Sequence, residues 1–389
     1  MSRDPFSGYQ CQACGAGFLH ELNSFRALPR VTSDANPWPA GGRLFVCFDC
    51  GTTQKIADAQ WRAEIAHIYE RYAIYHQSCG AEQPIFSGHA DRALPRSVLI
   101  AEYIESVIPL SERASMLDFG CGNGSALRTF SQRHPQWRLY GAELNDTARE
   151  RLAEIANFVK LYTGELARID ETFDLITLIH SLEHVIGPER VLSDILKMAG
   201  AKGHVFVQVP NCTVTPYDLL IADHLTHFSL DSLCLVGSRA GYRTIVASDS
   251  VLPKELSWIG KVAEAQGEPK APMDSRVAIE RVGHQLAWLH AQANSAKEIA
   301  RSSAKFGVFG TSISGTWLAS VVGERVEFFV DEDPGRIGRE HMGAPIVSPE
   351  SVDCGSDIYV PLIPKVGNAV AMRLQRPGLR YHTPPDLAS

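Results

Sequence analysis

Two Cys-x-x-Cys pairs, Cys11/Cys14 and Cys47/Cys50, place thiolates at the spacing from which one tight turn aims two sulfurs at a single tetrahedral metal ion. Two such turns complete a four-thiolate set, and zinc is the ion such a set holds. With every position filled by protein, the metal shapes a domain and does no catalysis. Gly15 and Gly51 follow the pairs closely and supply the positive φ that such turns often need. The stretch between the pairs is rich in Pro and Gly near residues 36–42, so it must form a hairpin or long loop that the metal closes. The nine cysteines are odd in number and otherwise scattered, which is not the pattern of a secreted disulfide framework and points to a reducing compartment.

A second group of residues suits a bound cofactor. Ala114–Phe119 reads as a short buried strand, Gly120-Cys-Gly-Asn-Gly124 as a glycine-rich turn, and Ser125–Gln132 as the helix that follows. Glycines there let the backbone approach a ligand at the carboxyl end of the first strand of a doubly wound sheet. Such a turn alone also fits a dinucleotide, so its neighbours must decide. Asp118 precedes the turn, Leu139–Glu143 is a second strand with an acidic end, and Phe173–Ile179 is a further strand followed by His180-Ser-Leu-Glu-His184. Gly203–Val209 is the next strand, ending at Pro210-Asn211.

A third group can move protons. Asp223-His224-Leu-Thr-His227 sets two histidines three apart beside a carboxylate, and histidine is the side chain whose ordinary pKa suits acid–base work near neutrality. His224, assisted by Asp223, is the expected base, while His227 either shares that work or packs against the helix expected over 230–240. His180 and His184 border the same expected cleft, with His184 on the substrate side. Upstream, Tyr69, Tyr72 and Tyr75 recur every three residues, near one helical face, so Tyr75 and His76 either touch substrate or pack between domains.

The elements that must position these groups fill 389 residues, enough for two or three domains, with 45% hydrophobic and 21% charged residues as in soluble globular proteins. A net charge of −7 argues against a nucleic-acid partner held through phosphates. With no apolar run of membrane-spanning length, no membrane insertion is expected, and a cytoplasmic location is. Arg276–Ser303 has helical periodicity. Beyond it come a strand at 305–309, the turn Gly310–Gly315, a helix over 316–322 and a strand at 326–330 that ends in Asp331-Glu-Asp-Pro334, which together make half of a Rossmann-like unit.

The acidic strand ends, the glycine turn and the His180–His184 segment, in this order, resemble the class I S-adenosylmethionine (SAM)-dependent methyltransferases over roughly Ser97 to Ala247. That resemblance implies SAM contacts from Asp118, Gly120, Gly122, Gly124, Glu143, Leu144, Glu165 and His180, with Glu143 holding the ribose hydroxyls. Added to the cysteine pairs and the C-terminal unit, it extends over almost the full chain to the sugar C-methyltransferases, which methylate nucleotide-linked ketodeoxysugars. The implied fold is α/β: a zinc-binding module with a linking helix over 1–80, a SAM methyltransferase domain over 81–250, and a helical connection with a smaller Rossmann-like domain over 251–389. The implied partner is a nucleotide-linked sugar. Asp223-His224 stands where that family carries an acid–histidine pair, usually Glu-His, and Ile221 stands where the family tends to supply a tyrosine. Methyl transfer to oxygen or nitrogen of a sugar, glycan or natural-product precursor, and a zinc-bearing binding protein on a degenerate methyltransferase fold, remain as alternatives.

Overall fold

The computed structural model describes residues 9–71, 82, 84–85, 94–164, 169–263 and 274–387. Tyr75, His76 and Glu165 lie outside the described residues.

The middle of the chain builds one seven-stranded sheet from β1 (Ser115–Phe119), β2 (Arg138–Glu143), β3 (Phe158–Thr163), β4 (Phe173–Ile179), β5 (Ala199–Pro210), β6 (Tyr242–Ser248) and β7 (Glu255–Val262). The order is β3-β2-β1-β4-β5-β7-β6, with β1 to β5 parallel and β7 antiparallel to both neighbours. Strands covered on both faces must be apolar nearly throughout, and Phe173-Asp-Leu-Ile-Thr-Leu-Ile179 meets that demand: Leu175, Ile176 and Leu178 are fully buried. One face packs Leu117, Ile176, Val205 and Val207 against Leu192, Ile195, Leu233 and Trp258. The other packs Met116, Leu139 and Phe206 against Ile100, Ile104, Leu127 and Phe130. Chain order reverses between β1 and β4, and ligands of such sheets sit beyond the strand ends at that point.

Two expectations need correction here. The boundary drawn at residue 250 cuts this sheet, because β7 runs to Val262 and pairs with β5 from Pro210 to His204. The fifth strand also starts earlier than Gly203, since Ala199 already pairs with Phe173 across a register shift.

The N-terminal segment forms an antiparallel sheet of Leu19–Glu21, Phe45–Cys47, Thr53–Gln54 and, from the middle of the chain, Thr226–His227. Asp58 caps the helix Ala59–Glu70 through the Trp61 amide at 2.8 Å. The segment after β5 is thus stitched into the cysteine-bearing module, and the Ala222 amide donates to the Val31 carbonyl at 2.7 Å as well.

The periodicity over 276–303 becomes one helix, Ser275–Ser302, which at 1.5 Å per residue spans about 42 Å. Its buried positions, Ala278, Val282, Leu286, Leu289, Ala293, Ala296 and Ala300, recur every three or four residues and face Phe25, Val31, Leu44, Tyr217 and Trp317. Beyond it lies a six-stranded sheet, parallel except at one edge, with Phe306–Phe309 between Phe328–Val330 and Asp357–Tyr359. The helix expected at 316–322 starts earlier, at Ile313, because Gly315 packs into the turn, where a Cβ would sit 2.0 Å from the Gly310 carbonyl oxygen. Asp331, at the next strand end, accepts from the Thr311 hydroxyl at 3.0 Å and lies 3.4 Å from Arg336, so its carboxylate is engaged within the chain.

Candidate active site

The glycine turn opens at the carboxyl end of β1. Gly120 has a φ of 75°, and a Cβ there would lie 2.8 Å from the Cβ of Ser181, on the segment that follows β4. A left-handed φ costs a non-glycine residue about 1–2 kcal/mol, and this contact adds to it. Gly120→Ala is therefore expected to destabilise the chain by about 2 kcal/mol or more. Chemical denaturation reads this directly, and SAM affinity should fall with it, since the turn must move away from Ser181.

Glu143 ends β2 beside this turn. Its carboxylate accepts from the Gly122 amide at 2.7 Å and from the Leu144 amide at 3.0 Å. An ionised carboxylate offers about four acceptor positions, so about two remain for a pair of ligand hydroxyls. Those free positions suit a pair of ribose hydroxyls, the ligand that the resemblance implies, and Leu144 is exposed at the strand end. Asp118 is placed differently. It is buried and accepts from the Thr177 hydroxyl at 2.6 Å, and burial pushes its pKa up to about 7 despite that bond. Its role is to tie β1 to β4 beneath the turn. Glu143→Gln should weaken SAM binding roughly 10- to 100-fold, the value of about one charged hydrogen bond, in a calorimetric titration.

Beyond β4 the chain turns through His180, whose φ of 51° is in the left-handed region and unusual for a side chain other than glycine. Its ring lies 3.3 Å from Glu183 and 3.3 Å from Glu255, and Arg96 pairs with Glu255 at 2.7 Å. Burial lowers the His180 pKa, but the Glu255 and Glu183 charges outweigh this and Arg96, raising it to about 9. Four groups from three separate segments thus form one ion cluster at the carboxyl end of β4. Arg96 and Glu255 have no motif around them in the sequence, and only the topology brings them here.

The candidate proton-transferring residues converge on the segment after β5. His224 is buried, and its Nδ1 lies 2.8 Å from Asp218 Oδ1, leaving Nε2 as the nitrogen turned away from that bond. The expected pairing of His224 with Asp223 is not what the structure holds. Asp223 instead accepts from the Ser33 amide at 2.8 Å and the Ser33 hydroxyl at 2.5 Å, and sits 3.3 Å from His184 Nδ1. The physical reason is local. Pro216–Leu220 is a 3-10 turn that swings Asp218 back under both histidines, while Asp223 points toward the N-terminal module.

His184 Nδ1 also lies 3.1 Å from the Asp223 carbonyl and 3.2 Å from the Tyr69 hydroxyl, and its ring meets that of His224 edge to face at 4.6 Å. Burial pulls the His184 pKa down, but the bond to Asp223 and the Asp223 and Glu183 charges raise it overall. His227 is no surface cap. Its Nδ1 bonds the other oxygen of Asp218 at 2.7 Å and its Nε2 lies 2.9 Å from Lys55 Nζ. Burial and the Lys55 charge push its pKa down to about 4. Burial raises the pKa of Asp218, yet the two histidines more than offset this and hold it well below the usual carboxylate range.

The structure thus brings together His184, His224, Asp223 and the segment after β4. Asp218, Ser33, Lys55 and Tyr69 were not assigned site roles from sequence. Asp218 had one usable signal, a carboxylate six residues before His224 within the same short run; Ser33 and Lys55 had none.

The four cysteine sulfurs lie within 4.8 Å of one another, with Cys11 and Cys50 3.5 Å apart and Cys14 and Cys47 3.6 Å apart. These separations are far too long for disulfides. Zinc–sulfur bonds of about 2.3 Å in a tetrahedron put sulfurs roughly 3.8 Å apart, so the set fits zinc. The Gly15 and Gly51 amides donate to the Cys11 and Cys47 carbonyls at 2.9 and 3.0 Å, closing two matching turns.

Residues 91–247 match the family model of a methyltransferase domain. No curated protein matches the sequence. Among solved structures, the mitomycin 7-O-methyltransferase MmcR is 18% identical over 43% of this chain and 53% of its own, with a TM-score of 0.38. CalO1, a methyltransferase of calicheamicin biosynthesis, is 18% identical over 43% of this chain and 54% of its own, with a TM-score of 0.35. A SAM-dependent methyltransferase from Clostridium acetobutylicum is 11% identical over 52% of this chain and 99% of its own, with a TM-score of 0.36. The chain spans about half the length of the first two. Among the described residues, no helix is long and apolar enough to cross a membrane. The matched methyltransferase domain carries the glycine turn, Glu143 and the segment after β5.

Proposed function

We propose that this enzyme moves the SAM methyl group to a carbon next to the ketone of a nucleotide-linked sugar, with His224 as the base. The observation that carries the reading is the 2.8 Å bond between Asp218 Oδ1 and His224 Nδ1, made in a buried setting on the segment after β5. A carboxylate in that position fixes the ring, favours the tautomer with a bare Nε2, and stabilises the imidazolium formed when Nε2 takes a proton. SAM supplies an electrophilic methyl group when bound beside the glycine turn. His224 removes the proton next to the ketone, and the carbon lone pair forms the new C–C bond as the methyl–sulfur bond breaks. His184, held by Asp223 and beside Tyr69, is the candidate donor to the developing ketone oxyanion. The sugar acceptor rests on the resemblance of cysteine pairs, SAM motifs and C-terminal unit to the sugar C-methyltransferases. Zinc is held by Cys11, Cys14, Cys47 and Cys50 as a structural ion, and Tyr75 and His76 stay as proposed substrate contacts.

A second reading is favoured by Ile221. It is apolar and buried where the resembling family tends to carry a tyrosine, so a base with fewer oxyanion donors would equally serve a hydroxyl acceptor. Incubation of enzyme and candidate ketosugars in deuterated water without SAM separates the two. Carbon methylation requires deuterium uptake next to the ketone; a substrate that is methylated in turnover yet takes up none excludes it.

A further inference from the structure

Glu183 and His184 stand side by side on the 3-10 turn Leu182–His184, which follows β4. The Leu225 amide donates to the Glu183 carbonyl at 2.8 Å, so the segment after β5 is pinned against this turn and His224 is held beside it. One ligand atom from each of Glu183, His184 and His224 lies within 4.8 Å of the other two. Glu183 is 1% exposed, and among the described residues neither of its carboxylate oxygens has a hydrogen-bond partner. The 3.3 Å approach of the His180 ring is an ion contact only. A buried carboxylate left in that state is costly, and buried charges are normally paired or bound to a metal. The histidines are oriented for such a ligand. His184 Nδ1 faces Asp223 and His224 Nδ1 bonds Asp218, so each ring has one nitrogen on a carboxylate and Nε2 left over. In metal sites an outer carboxylate fixes the ring and tautomer of a ligating histidine in this way. The ring centroids are 4.6 Å apart. Metal–nitrogen bonds of about 2.0–2.1 Å put two adjacent ring ligands on one ion with centroids roughly 4.5–5 Å apart.

We infer that Glu183, His184 and His224 form a second metal site, separate from the cysteine set, for a divalent first-row transition ion. Two imidazoles and one carboxylate suit zinc, iron(II) or cobalt(II), and three protein ligands leave at least one position open. His184 keeps 15% of its side chain exposed, so one edge of the site meets solvent. The neighbouring trio Asp218, His224 and His227 is no rival: both Asp218 oxygens are taken by the Nδ1 atoms, and Lys55 Nζ lies 2.9 Å from His227 Nε2. The consequence for turnover rests on the assignment of His224 as base. A metal ion takes the same Nε2 lone pair that would accept the proton, so bound metal and proton abstraction exclude each other. Occupation of this site silences the enzyme, and it ties up His184, the candidate oxyanion donor, in the same step.

The probe is cobalt(II), added to the full chain after its cysteine set has been loaded with zinc and loosely held ions have been dialysed away. Calorimetry should show one further cobalt per chain, and X-ray absorption at the cobalt edge should show two imidazoles with oxygen and no sulfur. Glu183→Gln should weaken this binding about 10-fold or more while SAM affinity stays within about 3-fold. The absorption measurement uses the wild-type chain, so it decides even if that variant fails to fold. No further cobalt, sulfur among its ligands, or undiminished binding in folded Glu183→Gln overturns the site. Turnover should fall with the same midpoint as cobalt binding. Cobalt held by these ligands with turnover unchanged would overturn the silencing and the base assignment while the site stands, so the two failures are told apart.

Discussion

His224→Asn is expected to lower turnover by about 1,000-fold, within the range supplied by a positioned general base, while SAM affinity stays near the wild-type value. The substitution is chosen for shape. The asparagine side-chain amide can still donate to Asp218, so the buried carboxylate keeps a partner, but nothing replaces Nε2. The proposed SAM contacts Gly122 and Glu143 bond to each other and to the Leu144 amide, whereas His224 bonds to Asp218, so the two groups are held by separate hydrogen bonds. A single-turnover assay with labelled SAM separates the two effects. Turnover within a few-fold of wild type, with folded protein and intact SAM binding, would remove His224 from the chemistry and transfer the role to His184.

Removing the metal should have the next largest effect. One zinc per chain is expected by elemental analysis, and strong chelation should abolish turnover. Structural zinc contributes about 10–16 kcal/mol of apparent binding free energy in small zinc domains. Cys11, Cys47 and Cys50 sit in the same apolar cluster as Phe228 and Leu235, so loosening the cysteines loosens the wall behind the Thr226–His227 strand. Lys55 and Ser33 leave the site with the module, so Asp223 keeps only His184 and His227 keeps only Asp218 among their side-chain partners described above. The glycine turn packs in a different cluster, with Leu127, Leu152 and Ile155, so SAM binding should survive chelation far better than turnover. Full activity in metal-free protein would contradict this account of the cysteines.

Periodicity and turn chemistry were enough to read β1, β2, β4 and most of β5, but not the outer strands β6 and β7. Phe173–Ile179 is a strand over the expected residues, and Ser125 begins a helix directly after the turn. These elements are local: apolar runs of strand length and a glycine-rich turn carry their own signal. The proposed base was legible as a residue but not as a pair. His224 stood out beside Asp223, yet adjacency in sequence places side chains on different sides of an extended chain, and the 3-10 turn at Pro216–Leu220 delivers Asp218 instead. Lys55 and Ser33 were invisible for a related reason. Each reaches the site across more than 160 residues of intervening chain through the shared sheet, and no spacing rule encodes such a meeting. The late boundary of the sheet has the same origin, since β7 inserts between β5 and β6 and pairs with the earlier strand.

The most direct test of the central claim is mass spectrometry and NMR of products formed from a panel of nucleotide-linked ketosugars with SAM carrying a deuterated methyl group. The account predicts one labelled methyl on the carbon next to the ketone, formed only when His224 is present. Label found on a hydroxyl or amine, or no transfer to any ketosugar while another acceptor class is methylated, would contradict it.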